Sequence, residues 1–260
     1  MNGFILQEEE QNILVLRLNR PPDNFIKLPV LEQLHGVIDS MSLRNDYEGV
    51  IIASAIDDIF TSGHEVVDIA DGHNERKLKK ALSSVAEVLL TIQRLPLPTL
   101  SLINGHCVGF GLELALATDF RIAVDEEINI GFPDVRLGTF PPFGGIYRLV
   151  KLVGETRAKE LLLKGKLLGP RSALEAGLID AIVSKESLFE EGIKLLKGFS
   201  KNAPLAMTAA KRSIVDSTLK DFMAVVREDI EDYTTIVSSE DYAEGKNALQ
   251  EGRLPTYKKR

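Results

Sequence analysis

The chain has 260 residues, 44% of them hydrophobic and 27% charged, with a formal net charge of −7. That balance excludes a disordered polymer, and the negative charge argues against a nucleic-acid partner, because neutralising phosphates takes concentrated Lys and Arg. The single cysteine, Cys107, excludes an internal disulfide and a cysteine-built zinc cluster.

Met1 to Glu10 carries three consecutive glutamates and no basic stretch leading into an apolar run, which is not the pattern of a secretory signal. No run approaches the ~18 uninterrupted apolar residues of a membrane span. The expectation is a cytoplasmic protein with no membrane partner.

Asn12 to Leu18 is rich in β-formers and is closed by Asn19-Arg20-Pro21-Pro22, whose prolines lack the amide needed to continue pairing. From Pro29, the apolar residues Leu31, Leu34, Ile38 and Met41 recur at helical spacing. Val50 to Ala53 reads as a buried strand and Phe60 to Glu65 as a loop. Glu75 to Leu95 predicts a long amphipathic helix ended by Pro96 and Pro98. At its start Arg76, Lys77, Lys79 and Lys80, beside Gly72, His73 and Asn74, fit the solvated start of a helix, with cations placed near a ligand's phosphates as the alternative.

Thr99 to Asn104 predicts a second buried strand, Gly105 to Gly111 a glycine-rich loop, and Leu112 to Ala117 a helix. Phe120 to Val124 and Ile128 to Gly131 are short strands. Helical patterns follow at Ile146 to Val153, Ala158 to Leu163, Ser172 to Ala176, Leu188 to Phe199, Leu205 to Val215 and Leu219 to Val237, with one strand at Leu178 to Val183. An α/β core over residues 1–200 and a helical region over 201–260 are expected.

The stretch from Thr99 to Ala117 is the most informative. Amides at a helix start have no intrahelical partner and carry partial positive charge, so a glycine-rich turn there can hold a negatively charged oxygen. A phosphate loop would use the same physics, but no Gly-Lys followed by Ser or Thr is present. In a dinucleotide motif the third glycine would fall on Leu114. Glu113 interrupts the apolar run Gly-Leu-Glu-Leu-Ala-Leu-Ala; it is either a solvent-facing acid favoured by the helix dipole or a carboxylate held for a purpose. Asp134 lies in a Gly- and Pro-bounded segment and is open to turn chemistry or a salt bridge with Arg136. If the two carboxylates meet, repulsion separates their proton affinities and fits them for acid and base work.

Several linked segments resemble the crotonase (enoyl-CoA hydratase/isomerase) superfamily in order and spacing. They are Leu18-Asn19-Arg20-Pro21, Ser62-Gly63-His64-Glu65, Asn104-Gly105 through Gly109-Phe110-Gly111-Leu112-Glu113-Leu114-Ala115 to Asp119, and Gly131-Phe132-Pro133-Asp134. Leu137-Gly138-Thr139, Pro141, Gly144-Gly145, Arg148-Leu149, Ala173 to Asp180, Pro204, Lys211, Ser239-Glu240-Asp241, Glu244-Gly245 and Glu251-Gly252-Arg253 continue the match. The resemblance implies a spiral of ββα units with a C-terminal helical region that builds trimers or hexamers. It also implies an acyl group held as a coenzyme A thioester, with no metal and no cofactor beyond the coenzyme A of the substrate.

By position, the resemblance makes the backbone amides of His64 and Phe110 the donors to the thioester oxygen. Glu113 and Asp134 become the acids that hold a water for addition to a 2-enoyl-CoA. An isomerase, a hydrolase of carbon–carbon bonds and a noncatalytic acyl-CoA-binding protein are the alternatives. Hydratases usually carry Glu at the place of Asp134, so the carboxyl is drawn back by one methylene, and a misplacement of about 1 Å can cost on the order of a hundredfold in rate. Phe110 stands where Gly is more usual, and its ring could reshape the acyl pocket. His64 replaces the more frequent Ala. Related decarboxylases use a Tyr in the later loop, where this chain reads Thr139-Phe140-Pro141-Pro142.

Overall fold

The computed structural model describes residues 3–41, 46–63, 75–217, 235 and 239–258. The chain opens with strands β1 (Ile5–Glu10) and β2 (Ile13–Leu18), helix α1 (Leu28–Met41), strands β3 (Gly49–Ser54) and β4 (Asp58–Thr61), and helix α2 (Glu75–Arg94). Next come β5 (Thr99–Ile103), β6 (Gly105–Val108), α3 (Phe110–Ala115), β7 (Phe120–Val124) and β8 (Ile130–Gly131). A 3-10 turn (Asp134–Leu137), α4 (Gly145–Val153), α5 (Glu155–Lys164), β9 (Leu167–Leu168), α6 (Pro170–Glu175), β10 (Ala181–Val183), α7 (Leu188–Phe199) and α8 (Pro204–Asp216) follow, and then a helix at Glu240–Glu251. No helix among the described residues is long and apolar enough to cross a membrane.

The strands form two sheets, ordered β1-β2-β3-β5-β7-β10 and β4-β6-β8-β9. Chain order alternates between them: β3, β5 and β7 enter the large sheet, and β4, β6 and β8 enter the small one. Each pair of strands leads into a helix or helical turn, so the chain is a spiral of ββα units. From β2 onward the large sheet is parallel. Only β1 pairs antiparallel there, through a two-residue turn in which Gln11 and Asn12 both take positive φ, as tight hairpins require. All residues of β3 and β5 are buried, the mark of parallel strands covered on both faces.

Periodicity located the helices well: Leu31, Leu34, Ile38 and Met41 all point into the core, as do Ala81, Val85, Val88, Leu89 and Ile92 of α2. At the start of α2, Arg76 and Lys80 are exposed. Two segments expected as loops are strands. The stretch beginning at Phe60 falls partly in β4, and Gly105 to Val108 forms β6. Both are four residues long, too short for a period to declare itself. β1 and β9 were not foreseen, and β10 is confined to Ala181–Val183, the residues that pair with β7, while Leu178 and Ile179 are buried in the bend before it. His64, Glu65, Gly72, His73, Asn74 and most of the helical run expected at 219–237 lie outside the described residues. On α8, Lys211 ties the helix to the core, donating to Asp119 Oδ2 at 2.6 Å and to the Leu97 carbonyl at 2.7 Å.

Candidate active site

Strands β4, β6 and β8 are parallel neighbours, so the segments leaving their C-terminal ends emerge on one side of the small sheet. That edge of a parallel sheet is where ligands bind. The three segments are Ser62-Gly63 running toward His64, Gly109-Phe110 entering α3, and Phe132-Pro133-Asp134. His64 itself lies outside the described residues, so its amide and its imidazole have no described geometry. Its approach is fixed as far as Gly63: the Gly63 carbonyl accepts from the Ile26 amide at 2.9 Å. A Cβ on Gly111 would lie 2.6 Å from Thr61 Cγ2, so β4 ends against the first turn of α3.

Phe110 is the first residue of α3 and fully buried. Its ring meets Phe143 edge-on, with centroids 5.8 Å apart at 77°. The residue before it, Gly109, is the N-cap with φ +53 and ψ −119, a conformation that L side chains rarely adopt. Its amide donates to the Gly131 carbonyl at 3.0 Å, locking the turn onto β8. A Cβ there would lie 3.5 Å from Asp134 Oδ1, so the Asp134 carboxyl packs over this turn.

Glu113 is not a solvent-facing helix-start acid; its exposure is 0%. Oε1 accepts two main-chain hydrogen bonds, from Phe143 N at 2.8 Å and Gly145 N at 2.9 Å. Oε2 is buried and has no hydrogen-bond partner among the described residues. Asp134, 6% exposed, likewise has an unpartnered buried oxygen, Oδ2. The salt bridge to Arg136 considered from the sequence is not the arrangement found: Arg136 Nε donates to the Lys164 carbonyl at 3.3 Å.

Burial pushes the Glu113 carboxyl up to about 7. The two amide bonds and the charge of Arg148 oppose that rise, and the charge of Asp134 adds to it. Asp134 is also pushed above the usual carboxylate range, chiefly by burial. The sequence-predicted pair therefore stands close enough to interact, with one unsatisfied oxygen on each member. Buried polar atoms are seldom left without partners unless a ligand or water uses them.

His106 and Cys107, adjacent in sequence, do not form a nucleophilic pair. They alternate across β6: Cys107 is buried with its thiol pushed up by desolvation, and His106 Nδ1 accepts from the Asn129 amide at 3.0 Å. Among the described residues no group of three or more His, Cys, Asp or Glu could hold a metal ion.

The sequence reading missed the amides of Phe143 and Gly145. Main-chain donors leave no residue-type signature, and the Gly144-Gly145 pair was the only available signal. It also gave Arg148 and Gln93 no role, although Arg148 donates to the Phe143 carbonyl at 2.9 Å and to Gln93 Oε1 at 3.0 Å.

The family model described as Enoyl-CoA hydratase/isomerase matches residues 8–260. Over 258 residues the chain is 30% identical to the mitochondrial methylglutaconyl-CoA hydratase of Mus musculus, covering 97% of this chain and 82% of the mouse protein. The corresponding Rattus norvegicus protein is also 30% identical, with 97% and 81% covered. Among solved structures, an enoyl-CoA hydratase from Bacillus anthracis superposes with a TM-score of 0.90 at 29% identity, covering 99% of this chain and 100% of that one.

Proposed function

Because the chain belongs to the enoyl-CoA hydratase/isomerase family, we propose that it adds water across the α,β double bond of a 2-enoyl-CoA to give a 3-hydroxyacyl-CoA. The observation that carries this reading is the pair of buried carboxyls, Glu113 and Asp134, each with one oxygen unpartnered among the described residues, beside the first turn of α3. In this reading the thioester oxygen sits between the amides of His64 and Phe110, where charge develops as the double bond is attacked. Water lies between Glu113 Oε2 and Asp134 Oδ2. Its hydroxyl bonds to C3, its proton goes to the ionised carboxylate, and C2 takes a proton from the carboxyl that holds one. Burial and mutual repulsion suit the pair to hold one proton near neutral pH. No metal or redox step enters this chemistry, and coenzyme A is present only as part of the substrate.

The same reading assigns residues 1–200 to the catalytic spiral and 201–260 to a region that builds a homotrimer or a dimer of trimers, which sedimentation equilibrium would distinguish from a monomer. The proposed location is the cytoplasm; cell fractionation tests it against the mitochondrial location named for the mouse and rat relatives.

The test is a panel of 2-enoyl-CoA thioesters, including crotonyl-CoA and methylglutaconyl-CoA, with products identified by mass. A hydratase bleaches the conjugated thioester absorbance and adds one water. An isomerase instead creates that absorbance from a 3-enoyl-CoA, and a noncatalytic binder turns over neither; either result overturns the proposal. Glu113→Gln and Asp134→Asn should each lower kcat by at least about a hundredfold with acyl-CoA affinity largely retained.

A further inference from the structure

Glu113 is the inner end of a chain of hydrogen bonds that runs out of the site to α2. Oε1 takes the amides of Phe143 and Gly145. The Phe143 carbonyl accepts from Arg148 Nη1 at 2.9 Å, and Arg148 Nε donates to Gln93 Oε1 at 3.0 Å. A Cβ on Gly144 would lie 2.9 Å from Arg148 Nη1, so the guanidinium lies directly against the turn that supplies both amides. Arg148 is itself fixed at the start of α4, where its amide donates to the Gly144 carbonyl at 3.0 Å.

We propose that Arg148 is a positioning residue for the reaction: it clamps the Phe143–Gly145 turn so that both amides stay on Glu113 Oε1 and the proton-transferring oxygen is always Oε2, while Gln93 orients the guanidinium. This rests on the reading of Glu113 as a proton-transferring residue. Two acceptors, the Phe143 carbonyl and the Gln93 oxygen, are engaged by different nitrogens of one planar fork, a geometry that the single ammonium of lysine does not reproduce. With Oε1 occupied twice over, a proton arriving on Glu113 has only Oε2 to go to. Release of the turn would free the carboxyl to rotate and exchange its two oxygens.

Arg148 also acts through its charge. The charged groups that bear on Glu113 are Asp134 from the 3-10 turn, which favours the protonated form, and Arg148 from α4, which favours the ionised one. Gln93 of α2 is neutral, and α3 has no other charged residue. Removing the guanidinium therefore raises the proton affinity of Glu113, whichever direction its proton moves in the reaction.

The experiment compares Arg148→Met, Arg148→Lys and Gln93→Leu with the wild-type full chain, each checked for a cooperative thermal melt. Arg148→Met is expected to lower kcat by about 10- to 100-fold, the cost of a small misplacement of a reacting group, with KM within about threefold. The limb of the pH–rate profile set by Glu113 should move to higher pH. Arg148→Lys should return that limb toward its wild-type position while kcat stays depressed, because charge is restored and the fork is not. Gln93→Leu should lower kcat several-fold, and with Arg148→Lys it carries the test if Arg148→Met does not fold. A kcat within twofold of wild type with an unmoved limb overturns the proposal, as does a raised KM at constant kcat, which would make Arg148 a ligand contact. Titration of 13C-labelled glutamate, with Glu113→Gln assigning the signal, reads the clamp without turnover. An inactive wild type whose Glu113 titration still shifts upward in Arg148→Met and lies back toward the wild-type value in Arg148→Lys defeats the hydratase reading and leaves the clamp standing. A titration that Arg148→Met leaves unmoved defeats the clamp.

Discussion

A Cβ built on Gly145 would lie 2.5 Å from Glu113 Cγ and 2.7 Å from Oε1, the same oxygen that the Gly145 amide holds at 2.9 Å. At this position the close hydrogen bond and the bare α-carbon go together, because a Cβ on residue 145 would stand against the carboxyl that its amide holds. Gly145→Ala therefore tests the site through a single methyl group. In an open helix terminus alanine would gain up to about 1 kcal/mol over glycine, but overpacking a filled space costs about 1–3 kcal/mol, and the second effect wins. Expected are a lower urea midpoint and a kcat reduced about tenfold or more as Glu113 is displaced. An alanine variant as stable and as active as wild type would show that the turn gives way freely.

Gly105 makes a stricter demand at the start of β6. It pairs with Asp58 across the small sheet, and a Cβ there would overlap the Asp58 carbonyl group and the Ile59 nitrogen. Backbone on both sides cannot retreat without breaking the β4–β6 ladder that brings the site loops to one edge. Gly105→Ala should destabilise by more than about 4 kcal/mol, the range reserved for a named steric failure, and should show as loss of cooperative unfolding. A soluble variant with a normal melt would contradict the pairing.

The parts of the fold that were readable in advance are those where periodicity had room to act. Helix α2 runs for 20 residues and declared its buried face through Val85, Val88, Leu89 and Ile92. Strands β4 and β6 were invisible because four residues, one of them Gly105 in β6, contain no full pattern, and β1 was hidden by Glu8, Glu9 and Glu10 on an exposed edge. The helix at Glu240–Glu251 has few apolar positions to mark a face. At the site, the apolar run around Glu113 leaves it open between a solvent-facing acid and a held carboxylate, and the family resemblance, not the run itself, singles it out. What holds Glu113 was not legible, because two of its partners are main-chain amides and the third influence, Arg148, comes from an element 35 positions later.

Cys107 offers a check on the inner face of β6. Its side chain is fully buried and its thiol is pushed up by desolvation, against a smaller opposing influence from Arg121. Reactivity follows the exposed thiolate, so the native protein should leave a disulfide reagent unreacted until denaturant is added, and then release one equivalent of chromophore. Cys107→Ala removes one buried sulfur atom, a loss of about 1–2 kcal/mol in stability, and should leave kcat near the wild-type value. Rapid labelling of the native chain would place this residue somewhere other than the core.

The charge state of Glu113 couples the site to stability. Its carboxyl titrates near 7 in the folded chain and near 4.3 when unfolded, so the fold holds this proton more tightly than the unfolded chain does. Such a group stabilises the folded state while protonated: its contribution is fully present below the unfolded value and is lost as pH rises through the folded one. Each unit of difference corresponds to about 1.4 kcal/mol, so roughly 3 kcal/mol disappears between about pH 4.5 and 7. Glu113→Gln has no proton to lose, so the stability of wild type minus that of the variant should fall across this window and level off above it. Denaturant unfolding of both proteins at half-unit steps of pH measures that difference directly, and a difference that rises with pH would mean that Glu113 is held as an anion by partners stronger than two amides and Arg148.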